Sequence, residues 1–294
     1  MRLRQYIMQG AGIIAGVVSS ALGGMAAAVT RYVIVAADPV TLSVFRFGLG
    51  FLILLPVALA LRSRWPRGRD WIGVAALGVM FYGVFFVVYA EALVYTTAAR
   101  GSLAVSTLPL LTMIVAALMG REALTARKTI GVLVAMGGVA LALAAGLGDA
   151  PPGAWRGDLI MTAGMLSMAL YNILSRPYMQ RSSPLGYATA GMACGSGLNA
   201  LIAWQAGGFD AVESFGAAQW AGALYLGAFA GALGFYLWVF ALERATPTRV
   251  ANTITVSPIA AALLGSVLLE EGFGLSLLAG IAAVALGIWI SASR

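Results

Sequence analysis

The sequence predicts an all-α polytopic membrane protein, with ten transmembrane helices arranged as two inverted five-helix repeats around a central cavity. Composition is the first reason: 61% of the 294 residues are hydrophobic, 10% are charged, and the mean hydropathy is +0.92. A soluble domain carries about 25% charged residues. The second reason is a succession of apolar runs of about 20 residues, each long enough to cross a bilayer core as a helix. The third is that the two halves of the chain resemble each other.

The apolar runs define the expected spans. We place them at about 9–35, 40–62, 71–92, 97–119, 127–147, 157–179, 184–206, 217–242, 247–269 and 273–292. The runs are continuous and do not alternate, and backbone polar groups cannot stay unpaired in lipid, so helices are expected and strands are not. The connections are short, which leaves no room for a separate soluble domain.

The basic residues predict the orientation. With the N-terminus in the cytoplasm, fourteen of the 18 basic residues lie inside: Arg2, Arg4, Arg62, Arg64, Arg67, Arg69, Arg121, Arg127, Lys128, Arg176, Arg181, Arg244, Arg249 and Arg294. The positive-inside rule then places both termini in the cytoplasm, with an even number of helices. The acidic residues expected outside are Asp38, Glu91, Asp149, Asp158, Asp210, Glu213, Glu270 and Glu271. We attribute the net charge of +7 to this topology and not to nucleic-acid binding.

A cleaved signal peptide is an alternative for the first helix. Arg2 and Arg4 precede an apolar run, and Ala26 to Ala28 resembles a cleavage site. We favour a retained helix, because its removal would leave nine spans and would deprive a helix of the second repeat of its counterpart.

Several classes of site are disfavoured by composition. The chain has no histidine and one cysteine, Cys194, which lies in an apolar segment. Intrachain disulfides are therefore excluded, and metal or haem sites are disfavoured because histidine is the commonest metal ligand. A Walker-type glycine-lysine loop is also absent, so ATP is not expected to be the driver. We expect no cofactor, no metal and no catalytic residue.

The internal repeat covers the whole chain. An offset of 149 aligns 71–138 with 220–287 without a gap, and an offset of 145 extends the match toward the N-terminus. The matched residues include Trp71 and Trp220, Arg100 and Arg249, Pro109 and Pro258, Glu122 and Glu271, Gly131 and Gly280, Gly138 and Gly287, and Pro39 and Pro184. Chance similarity explains matched alanines and leucines better than matched Trp, Pro, Arg and Glu. We therefore predict two repeats, 1–148 and 149–294, and five helices in each would make them inverted.

These features resemble a known family. The span pattern, the duplicated proline, and Leu118-Met119-Gly120-Arg121-Glu122 followed by Gly131, echoed by Glu270-Glu271 and Gly280, are similar to the drug/metabolite transporter superfamily and its EamA-like branch. The long aromatic-rich helices 3 and 8 look most like the YddG aromatic amino-acid exporters. The resemblance implies an exporter of amino acids or related metabolites in the inner membrane of a bacterium, with ten helices around a central cavity.

Aromatic residues on helices 3 and 8 are candidate substrate contacts. Tyr82, Phe86 and Tyr89 have the spacing of one helical stripe, and the repeat maps the last two onto Phe235 and Trp238. Such rings could line a cavity for an aromatic or apolar substrate. The alternative is that they pack against neighbouring helices or form an interfacial aromatic belt.

Pro109 and Pro258 predict a matched pair of kinks in helices 4 and 9, and hence hinges. Each proline would free the carbonyl four residues earlier, on Val105 and Ile254. Nearby polar residues could satisfy these carbonyls or bind substrate: Ser102, Ser106, Asn252, Thr255 and Ser257. Asn172 is a further candidate contact, although helix packing could also account for it.

Charged residues near the spans leave two questions open. Arg46 lies inside helix 2 and could bind a substrate carboxylate, but we favour outward snorkelling or an ion pair with Asp38 or Glu91. No carboxylate falls at the centre of a predicted span, so a proton relay is not expected. Glu91 is the best remaining candidate for proton coupling, and a solvated role is favoured for it too.

The sequence thus favours a carrier of small molecules that works by alternating access. The alternatives are a passive channel, which would use rings of like residues, and a membrane-embedded enzyme, which would need a catalytic set. Within the superfamily, transport of another metabolite, a sugar phosphate or a drug-like cation is a further alternative. Membrane lipid is an expected partner, and the oligomeric state is left open, a monomer included.

Overall fold

The computed structural model describes residues 2–33, 38–96, 98–144, 152–268 and 275–292, and within these ranges the chain is nearly all helical and has no strand. The predicted repeat boundary at 148–149 lies outside the described residues. Four of the charged residues whose side of the membrane was predicted also lie outside them: Asp149, Glu270, Glu271 and Arg294.

The described residues form fifteen α-helices, numbered here in chain order. The first eight are α1 (Arg2–Val33), α2 (Pro39–Ala60), α3 (Asp70–Gly78), α4 (Phe86–Tyr95), α5 (Ala98–Val105), α6 (Leu108–Leu118), α7 (Ala126–Ala142) and α8 (Ala154–Leu174). The others are α9 (Arg176–Arg181), α10 (Pro184–Gln205), α11 (Ala217–Tyr225), α12 (Gly234–Arg244), α13 (Pro247–Asn252), α14 (Val256–Leu268) and α15 (Leu275–Ala292). Two π-helical segments, Val79–Phe85 and Leu226–Leu233, join α3 to α4 and α11 to α12.

Seven helical stretches in the described residues are long and apolar enough to cross a membrane: Met8–Ala26, Pro39–Ala60, Asp70–Tyr89, Arg100–Leu118, Ala154–Arg181, Ala217–Arg244 and Leu275–Ala292. The prediction of a helical, multi-pass membrane protein is therefore confirmed. The predicted spans 127–147, 184–206 and 247–269 correspond to α7, to α10, and to α13 with α14, which are not among these seven. The number of ten remains a prediction.

Polar side chains and prolines fix where three of the helices begin. At the start of α2, Asp38 Oδ1 accepts hydrogen bonds from the backbone N–H groups of Val40 (2.9 Å) and Thr41 (3.1 Å), and Pro39 occupies the first turn. Ser183 caps α10 in the same way ahead of Pro184, and Thr125 caps α7. A proline is tolerated in the first turn of a helix because its missing N–H would have no helical partner there.

The two π-helical segments are features that the hydrophobic pattern did not predict. Each one leaves backbone carbonyls without the regular helical donor, and other helices supply replacements. Asn199 Nδ2 on α10 donates to the carbonyl of Gly83 at 3.1 Å and to Ser43 Oγ at 2.9 Å. At the second segment, Ser19 Oγ on α1 donates to the carbonyl of Gly234 at 2.7 Å. These buried side chains therefore hold the irregular backbone in place.

The matched breaks near the prolines are real, but they lie earlier than expected. The helix is interrupted at 106–107, between α5 and α6, and again at the 3-10 turn Thr253–Thr255, between α13 and α14. Pro109 and Pro258 lie in the first turn of the helix that follows each break, and not at mid-helix as predicted.

Hydroxyl groups satisfy the carbonyls at these breaks. Ser106 Oγ donates to the carbonyl of Ser102 at 3.0 Å, and Thr107 Oγ1 donates to that of Ala104 at 2.6 Å. Thr255 Oγ1 donates to the carbonyl of Asn252 at 2.7 Å. The bonded carbonyls thus lie one to three residues before Val105 and Ile254, whose carbonyls were expected to be freed.

Helices α7 and α15 meet through four glycines. A Cβ atom on Gly287 would lie 2.5 Å from the carbonyl oxygen of Gly131, and one on Gly280 would lie 2.7 Å from that of Gly138. The two pairs cross in antiparallel fashion, Gly131 against Gly287 and Gly138 against Gly280. Small residues at such a contact let two helix backbones approach closely, which is how helices without a hydrophobic driving force associate in lipid.

Polar contacts join the helix ends in two groups. In the first group Arg181 forms a bidentate ion pair with Asp70 at 2.8 Å, and Glu122 accepts from Lys128 Nζ at 2.7 Å and from the backbone N–H of Thr248 at 3.0 Å. In the second group Asp158 accepts from Thr96 Oγ1 at 2.8 Å and pairs with Arg100. The continuous helical stretch from Asp70 to Tyr95 separates the two groups, by roughly 35–40 Å at about 1.5 Å per residue.

Replacing Gly138 with alanine is expected to destabilise the bundle. The new Cβ would lie 2.9 Å from the carbonyl oxygen of Gly280, and overpacking of this kind costs about 1–3 kcal/mol. Gly137→Ala is the matched control, because its Cβ would meet nothing within 4 Å. Both variants gain the same helix propensity, so a lower thermal unfolding midpoint for Gly138→Ala isolates the contact. Equal midpoints would show that α7 and α15 do not pack as described.

Asn199→Leu is expected to loosen the first π-helical segment. Leucine has a similar size but cannot donate to the carbonyl of Gly83, and an unsatisfied buried acceptor costs about 1–3 kcal/mol. Hydrogen–deuterium exchange should increase in peptides that cover 79–85. Gln205→Leu, at the exposed end of the same helix, is the control and should leave exchange in this segment unchanged. Unaltered exchange in Asn199→Leu would contradict this role of Asn199.

Candidate functional site

A cavity of about 340 Å³ is lined by residues from both halves of the chain. Helices α1, α2, α4 and α5 contribute from the first half, and α8, α12 and α14 contribute from the second. The volume lies at the lower end of the range of about 300–1,000 Å³ that is usual for ligand pockets. The cavity extends past Thr30, Pro39 and Thr96, so it reaches the end of the bundle where Asp158 pairs with Arg100.

One wall of the cavity is aromatic. Phe86 and Tyr89 on α4 line it together with Phe235 and Trp238 on α12. The rings of Phe86 and Phe235 meet edge to face, with centroids 5.6 Å apart, and Phe47 packs behind both of them. The indole N–H of Trp238 donates to Asn172 Oδ1 at 3.0 Å, which fixes the orientation of that ring.

Three predicted contact residues do not line the cavity. Tyr82 is fully buried, and its hydroxyl lies 3.1 Å from that of Tyr171. Asn172 is buried behind Trp238, whose indole it holds. Asn252 is buried against α15, where its Nδ2 donates to Ser291 Oγ at 2.8 Å. In this conformation the three residues take part in packing and in positioning.

The polar groups of the cavity are mostly hydroxyls. Ser102 and Ser257, both predicted, line the cavity, and so does Pro258, whereas Pro109 does not. The sequence reasoning missed seven polar or sulfur-containing lining residues: Ser19, Ser20, Thr30, Ser43, Thr96, Met165 and Met168. The serines on α1 could have been found from the glycines beside them in the sequence, because small residues often mark a close contact between membrane helices. A Cβ on Gly24 would lie 2.1 Å from the carbonyl oxygen of Ser257, so α1 must pack directly on the start of α14.

The position of Arg46 differs from the one that the sequence favoured, which was outward snorkelling or an ion pair. Its guanidinium lies over the ring of Phe86, 4.6 Å from the centroid, and it lines the cavity. Among the described residues it makes no ion pair with Asp38 or Glu91. Asp38 accepts hydrogen bonds from the α2 N-terminus, and Glu91 is exposed. Arg46 therefore points into the cavity, and does not snorkel outward.

The groups that line the cavity can bind a small molecule. Among the lining residues that the structure describes, Arg46 is the only charged one. No group of three or more His, Cys, Asp or Glu side chains in the described ranges could hold a metal ion. Ring faces, methionine side chains, hydroxyls and one guanidinium can together hold a small molecule that has an apolar part and an anionic part.

Comparison with known proteins places this architecture among transporters. An uncharacterized transporter of Archaeoglobus fulgidus is 24% identical over 271 residues, which cover 91% of this chain and 93% of that protein. A probable terminal-alkyne amino-acid exporter of Streptantibioticus cattleyicolor is 27% identical over 222 residues, which cover 74% of this chain and 72% of that protein. A solved crystal structure with 18% identity superposes with a TM-score of 0.78 and covers 96% of this chain and 97% of its own, so the fold is shared.

The model of the EamA-like transporter family matches the chain twice, over residues 10–144 and 155–293. The two matches together cover nearly the whole sequence, and the first ends before the second begins. Combined with the multi-pass helical fold, they establish the class of the protein. The chain is a membrane transporter and belongs to the EamA-like transporter family of the drug/metabolite transporter superfamily.

Proposed function

We propose that this protein exports amino acids, with aromatic and other apolar or small side chains preferred, and related metabolites. The observation that carries this proposal is the cavity, in which an aromatic wall and a single guanidinium face the same space. An amino acid with an apolar side chain has matching parts. The relative described as a probable amino-acid exporter supports the same substrate class.

The residues that would contact such a substrate are those that line the cavity. Phe86, Tyr89, Phe235 and Trp238 would pack on the side chain, and Ser102 and Ser257 would offer hydroxyls. Tyr82 and Asn172 would act indirectly, by holding the wall in shape, and Asn252 would act by joining α13 to α15. The volume of about 340 Å³ suits a single small molecule.

We further propose ten spans in two inverted repeats, 1–148 and 149–294. Support comes from the two family matches and from the positions of like features in the two halves. The π-helical segments Val79–Phe85 and Leu226–Leu233 stand at corresponding places, as do the breaks before Pro109 and Pro258. The four glycines of α7 and α15 pair across the interface as an in-plane twofold axis would require.

Alternating access would use the two breaks as hinges. Each break already lacks regular helical hydrogen bonds, so rotation there costs less than in an intact helix. The described lining extends to one end of the bundle, as would be expected for one of the two access states. Its described lining contains no carboxylate, so we propose that the substrate gradient drives export without a coupled proton or ATP.

The proposed orientation puts both termini in the cytoplasm of a bacterium, with the protein in the inner membrane. Arg181 and Lys128 belong to the first group of helix-end contacts, and the basic loop at 62–69 directly precedes Asp70 of that group, so this end would face the cytoplasm. The group around Asp158 would face outward, and the cavity would then open outward.

Counterflow of labelled phenylalanine in proteoliposomes tests the transport proposal. We expect saturable exchange that is insensitive to a pH gradient. Phe86→Ala and Phe235→Ala should raise the half-saturation concentration about two- to tenfold, because ring–ring contacts contribute about 0.5–1.5 kcal/mol. Phe229→Ala is the matched control, since Phe229 is 49% exposed on the outside of the bundle.

Three results would contradict the proposed uncoupled transport of amino acids. Absence of exchange with phenylalanine, tryptophan, threonine and methionine would reject the substrate class. Accumulation driven by a pH gradient would reject uncoupled transport. Exchange that does not saturate would indicate a channel and not a carrier.

Cysteine labelling tests the inverted topology. Cys194 is the single cysteine, so Cys194→Ser gives a cysteine-free background. In intact cells a membrane-impermeant maleimide should label Ser214→Cys, after α10, and should label Ser63→Cys, after α2, only once the membrane is permeabilised. Labelling of both positions from the same side would overturn the proposed arrangement.

A further inference from the structure

Arg46 stands among aromatic rings, and no residue in the described part of the chain gives it an anionic partner. Its guanidinium carbon lies 4.6 Å from the ring centroid of Phe86, 5.6 Å from that of Phe47 and 5.7 Å from that of Phe235. Its Nε is buried and finds no hydrogen-bond partner within the ranges that the structure describes. Among the described residues the guanidinium makes no ion pair, so its donors are left for something that enters the cavity.

The backbone around Arg46 is held rigidly. Helix α2 lies so close to the second π-helical segment that a Cβ on Gly231 would come within 2.1 Å of the Arg46 carbonyl oxygen. On the other side of α2, Phe47 is fully buried against Phe86 and Phe235. The backbone of Arg46 is therefore held in place, and its guanidinium lies on the ring of Phe86, so this group is partly preorganised for binding.

The positive charge of Arg46 has no counterpart at the matching position of the second half of the sequence. The offset of 145 that pairs Pro39 with Pro184 pairs Arg46 with Gly191, which packs on the ring of Tyr82. The cavity thus has one positive pole and, in its described lining, no negative one. A ligand that carries a carboxylate would neutralise this pole, whereas a simple cation would be repelled by it.

We propose that Arg46 binds the carboxylate of the transported substrate and makes that carboxylate the group required for recognition. The planar guanidinium can donate two parallel hydrogen bonds to a carboxylate while its face remains on the ring of Phe86. Hydroxyls of the cavity and ring faces then receive the rest of the molecule, and an ammonium group contributes less. This inference rests on the proposed amino-acid transport, and it excludes organic cations as principal substrates.

Three probes with the same ring separate the two charged groups of an amino acid. Phenylalanine has both groups, 3-phenylpropionate has the carboxylate alone, and phenethylamine has the ammonium alone. Binding is measured on the purified full-length protein from the ligand-dependent shift in its unfolding temperature, which needs no transport. We expect phenylalanine and 3-phenylpropionate to bind the native protein, and phenethylamine to bind at least about tenfold more weakly, since a charge-assisted pair contributes at least that factor.

Variants assign the effect to Arg46. Arg46→Gln should weaken binding of the two carboxylates about tenfold to a hundredfold and leave phenethylamine no weaker than before. Arg46→Lys should bind the carboxylates with intermediate affinity, because lysine keeps the charge but loses the paired donors. Arg156→Gln is the matched control: Arg156 also lies over a ring, 5.6 Å from the centroid of Trp155, but outside the cavity.

The outcomes distinguish this inference from the transport proposal. Equal binding of phenethylamine and 3-phenylpropionate to the native protein would overturn the inference even if Arg46→Gln failed to fold. Carboxylate binding unchanged in a folded Arg46→Gln variant would overturn it too, as would binding of none of the three probes. Binding that depends on Arg46 without counterflow would uphold the inference and overturn transport.

Discussion

Inside a bilayer, a backbone carbonyl that leaves its helical hydrogen bond must find another donor within the protein, and this constraint shapes the centre of the molecule. Two π-helical segments and two broken helices surround the cavity, so several carbonyls lack regular donors there. Asn199, Ser19 and Ser106 supply hydrogen bonds at these places from buried positions. The irregular backbone makes room for a cavity, and the buried polar side chains make that backbone stable.

The fold class could be predicted because hydrocarbon thickness and backbone pairing leave few choices for so apolar a chain. The starts of α2 and α10 were also readable, since Asp38-Pro39 and Ser183-Pro184 each combine a capping side chain with a proline. The π-helical segments were not, because segments of seven and eight residues are too short to change the hydrophobic spacing of a whole span. Breaks near Pro109 and Pro258 were predicted about one turn late, because a proline is accommodated best in the first turn after an interruption.

The candidate site could be predicted only in part, because helical spacing shows which residues share a stripe but not which of them face the cavity. Helical spacing places Phe86 and Tyr89 on one stripe, and they do line the cavity with their repeat partners. Spacing cannot tell which member of a stripe turns into the core, so Tyr82 was grouped with them although it is fully buried. The direction of Arg46 depends on rings from three separate helical segments, at Phe47, Phe86 and Phe235, which one sequence does not bring together.

The glycine contact between α7 and α15 has a mechanical consequence. Neither helix lines the cavity, and the surfaces through which they meet carry backbone and small side chains in place of interlocking ridges. Two such helices can change their crossing angle about the point of contact without lifting large side chains over one another. In the alternating access proposed above, the contact between α7 and α15 would therefore act as a pivot, which keeps the two helices joined while the walls of the cavity tilt.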